Sequence, residues 1–161
     1  MNLKIVTVLA TLALLSACAD KPTDTTGATT GAGGTALSPQ GTGPGTQEDL
    51  VANVGDRVFY ALDSSSISSE GRATLDRQAA WLSKYPQVSV QMAGNCDERG
   101  TTEFNLALGQ RRANAARDYL VARGVSSARV TTISYGKERP TAPGSDEQAY
   151  AQNRNATTSV R

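Results

Sequence analysis

The chain has 161 residues, 16 Lys plus Arg against 15 Asp plus Glu, a formal net charge of +1 and no histidine. The even charge balance argues against bulk nucleic-acid binding, which shows as a basic excess or stripe, and the missing histidine removes Ser-His and Cys-His nucleophile pairs and imidazole metal sites together. The two cysteines, Cys18 and Cys96, lie in very different contexts, so their even number does not imply a disulfide.

Met1 to Lys4 carries one positive charge, and Ile5 to Leu15 is apolar except for two threonines. A short basic start, an apolar run and small residues before a break describe a secretory signal. The run is shorter than the roughly 20 residues that span a bilayer. Leu15-Ser16-Ala17-Cys18 resembles the lipobox of bacterial lipoproteins. That resemblance implies cleavage before Cys18 and attachment of three acyl chains to it, where two or more chains make an anchor stable. Ala19 after the cysteine is compatible with outer-membrane sorting. An ordinary signal peptide with an incidental cysteine is the alternative.

Ala19 to about Gln47 is rich in Thr, Gly, Ala and Pro, with Leu37 its one large apolar side chain. Such a segment buries too little surface to offset its ordering entropy, which predicts a disordered linker. A flexible coil of about 29 residues reaches roughly 30 Å in root-mean-square terms. The expected organisation is a signal over 1–17, a lipidated linker over 18–47 and a globular domain over 48–161.

Within the domain, Val54 to Leu62 reads as a strand. Val58 and Tyr60 alternate with Arg57, Phe59 and Ala61, which allows burial on both faces. A helix is expected from Ser68 or Ser69 to about Lys84, stopping before Pro86, with Leu75, Ala79 and Leu82 as its apolar stripe. Gln87 to Met92 alternates as a strand with one buried face, ended by Gly94. A second helix is expected over about 102–123, closed by Gly124, with Phe104, Leu108, Ala115 and Tyr119 on one face. Arg129 to Tyr135 reads as a strand. Ser145-Asp146-Glu147-Gln148 is a capping-box signature for a short helix, and Ala156 to Val160 closes the chain as a strand. The order β-α-β-α-β-(α)-β predicts an α+β sandwich, helices packed on a mixed four-stranded sheet.

The densest set of charges lies between Asn95 and Asn114. At 100° per residue, Asn105 and Arg112 fall within about 20° of each other on one helix face. Gly109 lies near that face, and a helical glycine costs about 1 kcal/mol relative to Ala. Close approach of another group is one reason to keep it, so Asn105, Gly109 and Arg112 would form a floor with a cleared centre. Asp97 sits on the preceding turn, and the N–H groups of Thr101 to Glu103 point back toward it and favour an anion. One carboxylate and one guanidinium around one hollow suit a zwitterion, with Asp97 on an ammonium and Arg112 on a carboxylate as a two-pronged fork. A structural Asp97–Arg112 ion pair is the competing reading. Catalysis fits worse. Cys96 has no base or second thiol beside it, Asp97 and Glu98 are adjacent and point apart, and Asp63, Asp97 and Asp146 follow no cation-loop spacing. With no GxxxxGK[ST] phosphate loop, no cofactor is expected.

The stretches FYALDSSSIS, CDERGTTEFNLALGQRRANAARDYL and ISYGKERPTAPGSDEQAYAQNR resemble the OmpA-like peptidoglycan-binding domains of the Pal family of Gram-negative lipoproteins. The resemblance covers about 58–160, plus the lipobox and linker. The family pattern D-x-x-G, then Asn, then Arg falls on Asp97, Gly100, Asn105 and Arg112. The resemblance implies that Asp97 and Arg112 hold the ammonium and carboxylate of meso-diaminopimelate in the wall's stem peptide, with Gly100, Thr101 and Asn105 beside them. It favours binding over the bare ion pair. Two departures stand out. The family usually has His where this chain has Asn95, and N-R-R-A where it has Asn153-Arg154-Asn155-Ala156. Asn95, Gly109, Arg111 and Arg154 are therefore secondary candidates, with Arg111 or Arg154 able to compensate for the missing basic residue. The implied protein is a non-enzymatic, outer-membrane tether to peptidoglycan, facing the periplasm, with TolB and TolA as partners in envelope integrity and division. The alternatives are an OmpA-like lipoprotein without a Tol role, or a cell-wall hydrolase.

Overall fold

The structure, a computed structural model, describes residues 43–161. The signal, Cys18 and most of the expected linker lie outside the described residues. The elements are α1 Gln47–Asn53, β1 Arg57–Phe59, α2 Ser69–Lys84, β2 Val90–Asn95, α3 Thr102–Ala122, a 3-10 turn Ser127–Arg129, β3 Val130–Gly136, α4 Glu147–Asn153 and β4 Asn155–Val160. The sheet order is β1-β4-β2-β3. β4 is antiparallel to β1 and β2, and β2 is parallel to β3, so the sheet is mixed. This is the expected α+β architecture.

The alternation rule places the core. Val58 faces Ala156 across β1 and β4, and Met92 faces Thr158 across β2 and β4, all four buried. Leu75 and Leu82 of α2 and Ala116 and Leu120 of α3 join Val90 and Met92 in one cluster. Each large side chain so buried contributes about 1.5–3 kcal/mol.

Several expectations are corrected. α1 was not anticipated. Thr46 Oγ1 accepts from Asp49 N at 3.3 Å while Asp49 Oδ2 accepts from Gly45 N at 2.9 Å, a reciprocal cap that starts the helix. Asp49 also accepts from Trp81 Nε1 at 2.8 Å, tying α1 to α2. α1 occupies the run into the first strand and closes on Val54. Gly55 turns the chain at φ 94°, and β1 shrinks to three residues. Arg57 and Phe59 are exposed, so β1 is covered on one face only. β2 starts at Val90 and continues past Gly94 to Asn95. α4 is capped by Asp146, whose Oδ1 accepts from Ala149 N at 2.7 Å, and not by Ser145.

The face of α3 also differs. Phe104 is exposed, and Ala115 and Tyr119 are half-buried. The buried residues are Asn105, Leu108, Gly109, Arg112, Ala113, Ala116 and Leu120. This face lies directly on β2 and β3. A Cβ on Gly109 would collide with Ser134 Oγ and come within 2.8 Å of Gly94 O, and one on Gly94 would strike the Gly109 carbonyl. The two glycines let the helix backbone touch the strand. Gly109 therefore clears room for the sheet and not for a ligand.

Candidate functional site

β2 ends at Asn95, and the chain turns through Cys96 to Gly100, where φ is 87°, before Thr101 caps α3. Thr101 Oγ1 accepts from Phe104 N at 3.2 Å. Asn105, one turn into the helix, donates through Nδ2 to Arg99 O at 2.7 Å and Thr101 O at 3.2 Å. Asn105 is therefore the clasp that fixes the turn carrying Asp97.

Asp97, Asn105, Arg112 and Arg154 line one shallow hollow at the surface, packed so closely that no water-sized space remains within it. Leu62, Asp63, Cys96 and Leu108 complete its wall. Leu62 and Asp63, from the loop after β1, were missed at the level of sequence. Asp63 adopts φ 50°, a left-handed conformation that Asp tolerates better than most residues, and the run Asp63-Ser64-Ser65-Ser66 was its only signal.

Asp97 and Arg112 do not pair with each other. Asp97 is 4% exposed. Its Oδ2 takes Arg99 Nη2 at 2.6 Å and Arg154 Nη1 at 3.4 Å, and its Oδ1 takes Arg99 N and Nε, both at 3.2 Å. Burial pushes this carboxyl up, but the Arg99 and Arg154 hydrogen bonds and the Arg99 charge outweigh it and hold it below the usual carboxylate range. Arg99 also lies over the Tyr150 ring at 4.4 Å, with Nη1 3.6 Å from Glu147.

Arg112 is 1% exposed. Nε donates to Ser64 O at 2.8 Å, Nη1 to Asn95 O at 2.8 Å and Cys96 Sγ at 3.3 Å, and Nη2 to Ala61 O at 3.0 Å. Tyr60 Oη donates back to Arg112 O at 3.0 Å. Burial lowers the guanidinium's pKa, yet such a group stays charged in proteins. Four of its five N–H donors are committed, which leaves one on Nη2. The expected two-pronged fork is thus spent on the protein's own carbonyls.

The remaining candidates separate. Arg154 reaches Tyr60 O at 3.2 Å, Asp97, and Glu147 at 2.9 Å, so it supplies the second cation of the hollow. Arg111 is exposed and does not line it. Gly100 and Thr101 shape the turn and the cap without lining it. Asn95 points elsewhere. Its Nδ2 donates to Asn155 Oδ1 at 2.8 Å, and Asn155 in turn donates to Thr141 Oγ1 at 3.0 Å. The two departures from the family pattern are thus partners of one another. Cys96 is 3% exposed, its thiol pushed up by burial, and its contacts are Arg112 and Asn105 O. It is a packing residue.

Comparison with known proteins bears on the family and the fold. The OmpA family model matches residues 59–154. A peptidoglycan-associated lipoprotein of Rhizobium meliloti (strain 1021) is 50% identical over 160 residues, 98% of this chain and 86% of that protein. One from Brucella melitensis biotype 1 is 54% identical over 115 residues, 71% of this chain and 68% of its own. The crystal structure of the peptidoglycan-associated lipoprotein from Burkholderia pseudomallei superposes with a TM-score of 0.66 at 40% identity, covering 70% of this chain and all of that one. The C-terminal domain of Helicobacter pylori MotB shares the fold at 21% identity and a TM-score of 0.62, covering 66% and 84%.

Proposed function

The chain belongs to the OmpA family and, within it, to the peptidoglycan-associated lipoproteins, and from that premise we propose that it tethers the outer membrane to the cell wall through meso-diaminopimelate. It is an envelope lipoprotein that binds peptidoglycan, and it is not an enzyme. The finer reading assigns the ligand to the hollow bounded by Asp97, Asn105 and Arg112. The observation that carries it is that Asp97 and Arg112 line one hollow without neutralising each other.

The hydrogen-bond inventory suggests how a zwitterion is taken. Every strong acceptor position of Asp97 is occupied, three of the four contacts coming from Arg99. The side chain of Arg99 is 39% exposed, so it can swing into water as a ligand cation replaces its charge on Asp97. The ligand's ammonium then takes its place on Asp97. The neighbouring carboxylate takes the spare Nη2 N–H of Arg112 and the uncommitted N–H groups of Arg154. Gly100, Thr101 and Asn105 hold the turn that presents Asp97.

In the whole protein, Cys18 carries the lipid, the residues after it up to about 44 form the tether, and the domain that begins at the cap of α1 binds the wall. TolB, with TolA as a further partner, places it in the Tol–Pal system of envelope integrity and division. Sedimentation with purified peptidoglycan tests the reading. The wild-type protein is expected to pellet with intact wall, and Asp97→Asn to stay in the supernatant. Release of soluble wall fragments, or pelleting of both proteins alike, overturns it.

A further inference from the structure

A second cavity lies across the same turn from the diaminopimelate hollow. It encloses about 170 Å³, shares Cys96 with the first hollow, and is bounded by Glu98, Lys137, Pro140, Ala142 and Pro143. An apolar cavity of about 150 Å³ holds benzene, so there is room for one small amino-acid residue. Asp97 lines the first hollow and Glu98 the second, so adjacent side chains of the turn serve opposite sides.

Each wall of this cavity is pinned. Glu98 Oε1 accepts from Tyr150 Oη at 2.8 Å. Lys137 Nζ donates to Gly100 O at 2.8 Å and Glu98 O at 3.4 Å, which leaves one of its three protons uncommitted. Asn153 Oδ1 accepts from Thr141 N at 2.7 Å and Ala142 N at 2.8 Å, while its Nδ2 donates to Ala142 O at 2.9 Å. The proline-bearing loop is therefore preformed, which lowers the ordering cost of binding.

We propose that this cavity is a second subsite that takes the small, carboxylate-terminated residue following diaminopimelate in the stem peptide, a terminal alanine. The inference rests on the proposed diaminopimelate reading of the first hollow. The alanine is joined to the backbone carboxyl of diaminopimelate, at the opposite end of its side chain from the zwitterion in the first hollow, and the two cavities likewise lie on opposite sides of the turn. The chemistry of the walls matches such a residue in three places. The ammonium of Lys137 meets the terminal carboxylate, the carboxylate of Glu98 accepts the residue's amide N–H, and Ala142 and Pro143 pack on its methyl group. A larger side chain or a continuing chain finds the loop in its way.

Calorimetric titration of the full chain in detergent tests this with two synthetic peptides. One ends at meso-diaminopimelate and the other carries one further D-alanine. The D-alanine peptide is expected to bind at least tenfold more tightly, since a hydrogen bond to a charged group accounts for that factor. Ala142→Leu and, separately, Ala142→Phe fill the second cavity without touching the turn that carries Asp97, and each is expected to abolish the difference while leaving the shorter peptide's affinity unchanged. Equal affinity of the two peptides for the wild-type protein, or an equal loss of both in the variants, overturns the second subsite. Loss of all binding, the shorter peptide included, would instead overturn the diaminopimelate reading beneath it.

Discussion

At the scale of single residues, the site is held by an unequal pair. Asp97 touches one part-exposed guanidinium, Arg99, and one buried one, Arg154, whereas Arg112 is built into the fold by three carbonyls and a thiol. Asp97→Asn is therefore the cleaner probe, and weakening its charge-assisted hydrogen bonds costs about 2 kcal/mol of stability. Because the folded carboxyl of Asp97 is depressed below its unfolded value, its contribution is fully present above about pH 3.9 and is lost as pH falls through the folded pKa. Urea unfolding should show a constant gap between wild type and Asp97→Asn from pH 7 to pH 5, narrowing below about pH 4. Arg112→Ala, by contrast, strips three backbone carbonyls of their donor. It is expected to lose roughly 3 kcal/mol or more of stability along with binding. Loss of wall binding with an unchanged urea midpoint would contradict that assignment. From the sequence alone the two charges looked equivalent, because spacing locates a side chain on a face but says nothing of how many backbone carbonyls converge on it.

At the scale of elements, α3 organises the site, and its face was half legible. Helical periodicity placed Asn105 and Arg112 on one face, and both are buried there, but it grouped Leu108 with the wrong neighbours. It failed on Phe104 and Tyr119, because the buried face of α3 is made of small and polar residues and the apolar side chains sit partly outside. Gly109 was read as room for a ligand, whereas it admits Gly94 and Ser134 of the sheet. Gly109→Ala should therefore destabilise the domain. The helix gains about 1 kcal/mol of propensity, but overpacking against backbone costs more, so a net loss of about 2 kcal/mol is expected. Thermal melting of Gly109→Ala above the wild-type midpoint would refute the close-packing account. α1 escaped notice for a different reason. It has seven residues and buries only Leu50, so its signal was the cap at Thr46 and Asp49 and not a periodic stripe. The first strand was read too long because α1 closes on Val54 and Gly55 takes a left-handed conformation that alternation does not register.

At the scale of the whole molecule, alternating strand and helix signals were enough for the architecture, since each amphipathic element needs the sheet to bury its face. The strand order β1-β4-β2-β3 was not legible. It depends on the last strand inserting between the first two, a pairing that no local signal encodes. That insertion also carries Arg154 to Asp97, so the hollow is complete only when both ends of the domain have folded together. Fold and site are thus one cooperative unit, as the proposed tether requires. The most direct test of the central claim is a calorimetric titration of the protein with a stem peptide containing meso-diaminopimelate, against the same peptide with lysine in its place. Lysine keeps the ammonium for Asp97 and lacks the carboxylate for Arg112 and Arg154. At least tenfold weaker binding of the lysine peptide is expected, and equal affinity for the two peptides would contradict the zwitterion clamp.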